Sequence, residues 1–352
     1  MKVSTALINT LLLATTAALH AAEGGSAQSA GAIQIAKFKG DRTAAVSMTL
    51  DDGLRNQDEF AVPLLNKYGI KATFYVIPGL TPETNDEAAK KKPGDHGGMS
   101  WLRLKELAAQ GHEIANHTWT HLPLTKIKDG QRVDMEPTLL DAQIGKAYEA
   151  IKGHIGVAPF TFATPGNATS DGVRAAGHKY HPVLRERCER FGAWPPTSKD
   201  FTAAQANAMV DRYLKKGDAL VWMMHAVTEG YNAFSGPDVL EDHLMYLRSK
   251  DDVLWIDTFA HVSRYTLERD AAKLTGSLSS DHAEFTLACP LDAALFHDPL
   301  TIVIPANQAT QVEARYKKNG EKIPYEVRAD KILVQVAPSD QTVEVTWRHA
   351  VK

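Results

Sequence analysis

Residues 44–53 read AAVSMTLDDG, an apolar run that stops abruptly at two carboxylates and a glycine. An apolar run without polar alternation is the pattern of a strand buried on both faces, as in a parallel sheet. Gly53 lets the chain turn at once, so Asp51 and Asp52 stand at the carboxyl end of that strand, the rim where βα folds carry their chemistry. Neighbours on an extended chain point in opposite directions, so the two carboxylates can serve different partners. Adjacent aspartates are also common in turns and caps, and the pair alone does not decide between chemistry and structure.

Outward from this stretch, short apolar runs recur at 72–77, 112–115, 160–163, 179–183, 219–224 and 253–256. Between them lie amphipathic stretches with helix punctuation. Asp58 opens one that Gly69 closes, 101–110 stops at Gly111, and Thr202 starts one ending near Gly217. Strand and helix in alternation predict an α/β chain, and about seven such units favour a distorted, incomplete (β/α) barrel over residues 40–270. Beyond residue 270 the pattern switches to period two at 283–287, 300–304, 310–316, 332–336 and 342–347, with a hairpin signal at Asn319-Gly320. A small all-β, sandwich-like domain over 271–352 is expected there.

The amino-terminal 21 residues combine one Lys, an apolar run over 6–19 and small residues at Ala21 and Ala22. They read as a secretory signal peptide, followed by a linker over 22–39. The expected location is therefore the periplasm or the exterior, with no integral membrane segment in the mature protein. At 352 residues and 44% hydrophobic content the chain can bury a full core. A formal charge of -3 without any long Lys/Arg run excludes a nucleic-acid surface. Cys188 and Cys289 stand far apart, which leaves a single disulfide and two unrelated thiols equally open. Oligomeric state leaves no mark in the sequence.

Two further segments bear on chemistry. GHEIANHTWTH, residues 111–121, sets His117 and His121 four apart, a spacing that would bring both imidazoles to one ion from a helical turn. The zinc-protease pattern H-E-x-x-H fails, because it needs His where Asn116 stands. DALVWMMHAV, residues 218–227, is an apolar strand ending at His225, again at the rim. A lone His after such a strand is often structural, but its position at the same end as the other two segments points to a general acid. An Asp and two His with an open position suit a catalytic divalent ion that acidifies water.

At this point the sequence resembles the polysaccharide deacetylase family, also called the NodB-homology or carbohydrate esterase family 4. TLDDG at 49–53 stands where that family has TFDDG, HTWTH at 117–121 fits H-[ST]-x-x-H, and LVWMMH at 220–225 fits a late L-x-x-H. The resemblance covers most of residues 40–265. It implies Asp51 as general base, Asp52, His117 and His121 as ligands of one divalent metal, and His225 as general acid. It implies zinc as the ion, with cobalt or another first-row metal as alternatives. The reaction implied is attack by metal-activated water on an N- or O-acetyl group of a glycan. The family motif R-x-P-x-G appears here as FATPGN, with Ala163 where an Arg would orient the base. Trp119, Pro165, Gly166 and Asn167 are then candidates for the substrate cleft, and Trp101, Trp194 and Tyr231 for sugar stacking. Asp200 is a candidate acid partner of His225.

Two alternatives remain. A carbohydrate-binding protein that kept the fold but lost catalysis is disfavoured by the intact Asp, Asp, His, His, His set. An amidohydrolase needs an H-x-H pair on the first strand, which here carries the two aspartates. The polar loop TPETNDEAAKKKPGDHGG at 81–98 is expected to shape specificity. Chitin-like glycans, peptidoglycan and acetylxylan all remain open as substrates.

Overall fold

The computed structural model describes residues 32–190, 201–228 and 233–349. The expected signal peptide, most of the linker, Trp194, Asp200 and Tyr231 lie outside the described residues.

Ala44–Asp51 is the central strand of an eight-stranded parallel sheet, and every one of its residues is buried. Across the sheet the order is Val183–Leu184, Thr161–Phe162, Glu113–Asn116, Thr73–Val76, Ala44–Asp51, Ala219–Met224 and Glu189–Arg190. The eighth strand, Leu254–Ile256, pairs with the lower half of the central strand on the edge whose upper half pairs with Thr73–Val76. Ala219–Met224 runs along the other edge from Ala45 to Leu50. With two partners sharing one edge and only two-residue strands at either end, the sheet curls without closing, which is the distorted, incomplete barrel expected from the sequence. The expected strand at 179–183 is corrected: helix Asp171–His178 runs almost to that point, and the strand is Val183–Leu184.

Helices cover the outer face and stop where the sequence marks them. Ala203–Lys216 opens with a capping box between Thr202 and Gln205 and closes on Gly217 in the left-handed region. Trp101–Ala109 is capped by Ser100, and Trp101 itself is buried and stacked on His154, so it packs the fold and offers no face to a sugar.

The carboxy-terminal residues supply all four strands of one antiparallel sheet and three of the four strands of another. Phe285, Ile302, Val334, Val345 and Trp347 from both sheets share one apolar core, into which Tyr265 of the last barrel helix also packs. Within the stretch expected as linker, Gln34–Ile35 pairs antiparallel with Leu300–Pro305 and is the fourth strand of the second sheet. The two cysteines are free thiols. No helix among the described residues is long and apolar enough to cross a membrane.

Candidate active site

Most residues of the site lie at or just beyond the carboxyl end of a parallel strand: Asp51 and Asp52 after Ala44–Asp51, His117 after Glu113–Asn116, Ala163 after Thr161–Phe162, Arg185 after Val183–Leu184, and His225 after Ala219–Met224. The rim is stapled from beneath by Gln57, whose amide donates to the carbonyls of Asp51 (2.6 Å) and His225 (2.5 Å). Two strand ends that carry chemistry are thereby held at fixed separation.

The two aspartates have different surroundings. Asp51 is buried, and Arg185, whose side chain is wholly inaccessible, grips it in a fork: Nη1 to Oδ1 at 2.5 Å and Nη2 to Oδ2 at 2.6 Å. Nη1 also donates to Thr49 at 2.7 Å, Nη2 to Asn167 at 3.2 Å, and the guanidinium lies over the Tyr75 ring. Burial pushes the Asp51 carboxyl up, but the charge and hydrogen bonds of Arg185 outweigh it and hold the group well below the usual carboxylate range.

Asp52 takes a left-handed backbone conformation, φ 76°, which turns its carboxylate away from Asp51 and Arg185. Its carboxylate instead faces imidazoles. Oδ1 stands 3.5 Å from His117 Nε2 and 3.3 Å from His121 Nε2, while Oδ2 stands 3.8 Å from His225 Nε2 and 3.4 Å from His96 Nε2. Burial, reinforced by the Asp51 charge and only partly offset by His225 and Arg185, raises its pKa to about 7.

His117 is buried, and its Nδ1 lies 2.8 Å from the Ala163 carbonyl. A carbonyl only accepts, so Nδ1 carries the proton and Nε2 presents a lone pair toward Asp52. Burial lowers the pKa values of His117 and His121 to about 3 and about 4, which keeps both imidazoles neutral and able to ligate. The expected helical turn is corrected. Residues 117–121 form an irregular loop in which Thr118 (φ 69°) and His121 (φ 60°) are left-handed. Asn116 Oδ1 accepts from the Thr118 amide, and the Trp119 amide donates to the Gln143 carbonyl, so loop hydrogen bonds, not helical ones, bring the two imidazoles together.

The donor set fits a divalent cation. Asp52 Oδ1 is buried without a hydrogen-bond partner, an arrangement that costs energy unless a cation satisfies it. Asp52, His117 and His121 can place three ligand atoms round one ion. The 3.5 and 3.3 Å separations of Asp52 Oδ1 from the two imidazole nitrogens match the roughly 3.4 Å edge of a tetrahedron with bonds of about 2.0–2.1 Å.

Of the cleft candidates, Trp119 is half-buried with Lys146 over its ring at 4.5 Å, and its edge lies against Gly79. Pro165–Asn167 forms a 3-10 turn with Pro165 buried, and Asn167 is drawn into the Arg185 cluster. Sequence reasoning missed Arg185. The signal was present: a buried Asp51 whose expected Arg is replaced by Ala163 must take its cation from elsewhere on the rim. His96 was missed as well.

Residues 39–181 match the family model described as polysaccharide deacetylase. Over 90% of its length the chain is 23% identical to 13% of a gellan lyase from a Bacillus species. Over 36% of its length it is 28% identical to 22% of chitin deacetylase 1 from Cryptococcus neoformans. The chain thus spans less than a third of the length of these curated relatives. Among solved structures, a family 4 acetyl xylan esterase from Clostridium thermocellum in complex with a cobalt ion aligns at TM-score 0.44 and 22% identity, covering 62% of this chain and 89% of that one.

Proposed function

We propose that this chain, whose residues 39–181 match the polysaccharide deacetylase family model, removes N- or O-acetyl groups from a glycan with the aid of one divalent cation. Asp52, His117 and His121 hold the cation, zinc in the first place, Asp51 is the general base and His225 the general acid. The observation that carries this reading is the split between the aspartates: Asp51 is committed to Arg185, while Asp52 turns a bare buried oxygen toward two neutral imidazoles.

Once bound, the ion supplies polarisation of the acetyl carbonyl and acidification of a water. Arg185 keeps Asp51 ionised and fixed in orientation, so the base is in its proton-accepting form and needs no rearrangement. His225, held by its carbonyl to the same Gln57 that holds Asp51, brings Nε2 to 3.8 Å from Asp52 Oδ2. It delivers a proton to the departing amine or alcohol. Asn167 braces Arg185 and so acts on Asp51 at one remove, as a positioning residue.

Arg185 also counts against the inactive carbohydrate-binding reading. Ala163 removes a guanidinium from one strand end and Arg185 returns one from another, so the base retains its support. We further place the protein outside the cytoplasm, on the strength of the apolar run over 6–19; amino-terminal sequencing of protein recovered outside the cytoplasm should begin near residue 22.

The division of roles is tested by metal content together with turnover. Asp51→Asn should retain the ion and lose turnover, while His117→Ala should lose both. Equal metal loss in the two variants would contradict it.

A further inference from the structure

Asn116, the last residue of its strand, is wholly buried, and its side-chain amide is fully engaged. Oδ1 accepts from the Thr118 amide at 2.8 Å, while Nδ2 donates to the Ile144 carbonyl at 3.0 Å and to His181 Nε2 at 3.2 Å. The first of these bonds closes the turn that holds Thr118 in the left-handed region, φ 69°. That conformation is costly for a β-branched residue and persists only where its surroundings over-determine it.

His181 supplies part of that determination. Its ring is buried, stacks on Phe162 with centroids 5.3 Å apart, and meets the Tyr148 ring edge-on at 5.4 Å. Nδ1 stands 3.3 Å from the Gly177 carbonyl, which only accepts, so Nδ1 carries the proton and Nε2 offers a lone pair. Burial lowers the His181 pKa to about 3, so the ring stays neutral and the lone pair stays available. Two acceptors, His181 Nε2 and the Ile144 carbonyl, therefore face the Asn116 amide from one side and one donor, the Thr118 N–H, from the other. A flipped amide would set Oδ1 against both acceptors and Nδ2 against the donor, leaving buried groups unpaired. His181 thus fixes which way Asn116 faces, and Asn116 fixes the turn between His117 and His121.

We propose that His181 is a positioning residue of the metal centre, acting through Asn116 on the loop that carries His117 and His121. The proposal rests on the metal-centre reading above and deepens it. The strand Val183–Leu184 lies between His181 and Arg185, and the Arg185 amide donates to the Phe162 carbonyl at 2.8 Å. One short segment thereby supports the metal loop at one end and the Asp51 base at the other.

The experiment measures Zn²⁺ affinity by competition with a chromophoric chelator, and the Co²⁺ d–d absorption spectrum, in variants of the full chain. His181→Phe keeps a ring against Phe162 but offers Asn116 no acceptor, and His181→Gln returns an acceptor; His181→Leu carries the same expectation as His181→Phe should the latter not fold. Loss of an outer partner of a metal ligand costs about 10–100-fold in affinity, and His181 acts one step further out, so His181→Phe should bind Zn²⁺ at least about fivefold more weakly, with a displaced Co²⁺ spectrum. His181→Gln should return to within about twofold of the parent, and adding His181→Phe to Asn116→Ala should weaken binding no further. A smaller loss in His181→Phe overturns the proposal. So does a loss that His181→Gln fails to repair, or one that adds in full to that of Asn116→Ala, since either marks His181 as a packing residue. His117→Ala separates the two readings: Zn²⁺ binding lost there but untouched in His181→Phe removes His181 and leaves the centre standing, whereas parent-like binding in His117→Ala overturns the centre and His181 with it.

Discussion

Replacing Arg185 by Met should be among the most damaging single changes in the barrel. Met keeps much of the side-chain volume but removes two hydrogen bonds to Asp51, those to Thr49 and Asn167, and the contact with the Tyr75 ring. Both partners are buried, so the Asp51 carboxylate is left charged without a counterion, and removing one member of a buried pair costs about 3–5 kcal/mol. Asp51→Asn should remove much of that cost, since a neutral amide no longer needs the guanidinium. Urea unfolding of the parent, both single variants and the double variant therefore forms a cycle whose coupling should be on the order of 2–3 kcal/mol. A second readout separates positioning from bulk: without Arg185, burial of Asp51 loses its main opposition and its pKa rises. Activity at acidic pH is then lost in Arg185→Met under conditions where the parent still has an ionised base. Loss of less than about 1 kcal/mol, with additive effects in the double variant, would refute the reasoning.

Other expectations follow from the same geometry. Glu268 is buried, with the Asp298 amide donating to Oε1 and no partner for Oε2, and burial together with the Asp298 charge lifts its pKa to about 7. Its folded pKa lies above the unfolded value, so stability is greatest below the unfolded pKa and falls as pH rises from about 4.5 to about 7. Glu268→Gln should leave stability at pH 4 nearly unchanged and raise it at pH 8 by roughly 1–3 kcal/mol in thermal unfolding; equal effects at both pH values would exclude this origin. Gln57→Ala frees the carbonyls of Asp51 and His225, and should lower turnover at least tenfold while zinc content stays at the parent level, as metal analysis beside kinetics will read. Shortening the loop at 81–98 should change the ranking of acetylated substrates, and an unchanged ranking would remove the loop from specificity.

The strand-end chemistry was legible in the sequence because it follows from chain direction. An apolar strand that stops at Asp51 and Asp52 must present them at its carboxyl rim, and the same logic places His225. What escaped depends on contacts between segments distant in sequence. Arg185 sits in a stretch with Arg187 and Arg190 nearby, and nothing local says which guanidinium turns inward; Asp51, Thr49 and Tyr75 decide it. His96 lies in a polar loop whose docking depends on amides pairing with carbonyls at Asp52 and Gly53. The spacing of His117 and His121 correctly joined the two residues but for the wrong reason, since side chains four apart converge from a loop with two left-handed residues as well as from a helix. Gln34–Ile35 was read as linker because a two-residue strand carries no periodicity.

The central claim is hydrolysis of glycan acetyl groups by a cation-loaded rim. It is tested most directly by acetate release from acetylated chitooligosaccharides, peptidoglycan and acetylxylan, using purified residues 22–352 with Zn²⁺ or Co²⁺ added, and again after chelation. Release from at least one of these substrates, abolished by the chelator and restored by the metal, is the predicted result. Acetate release that survives complete removal of metal, or its absence from every substrate in protein that demonstrably holds the ion, would contradict it.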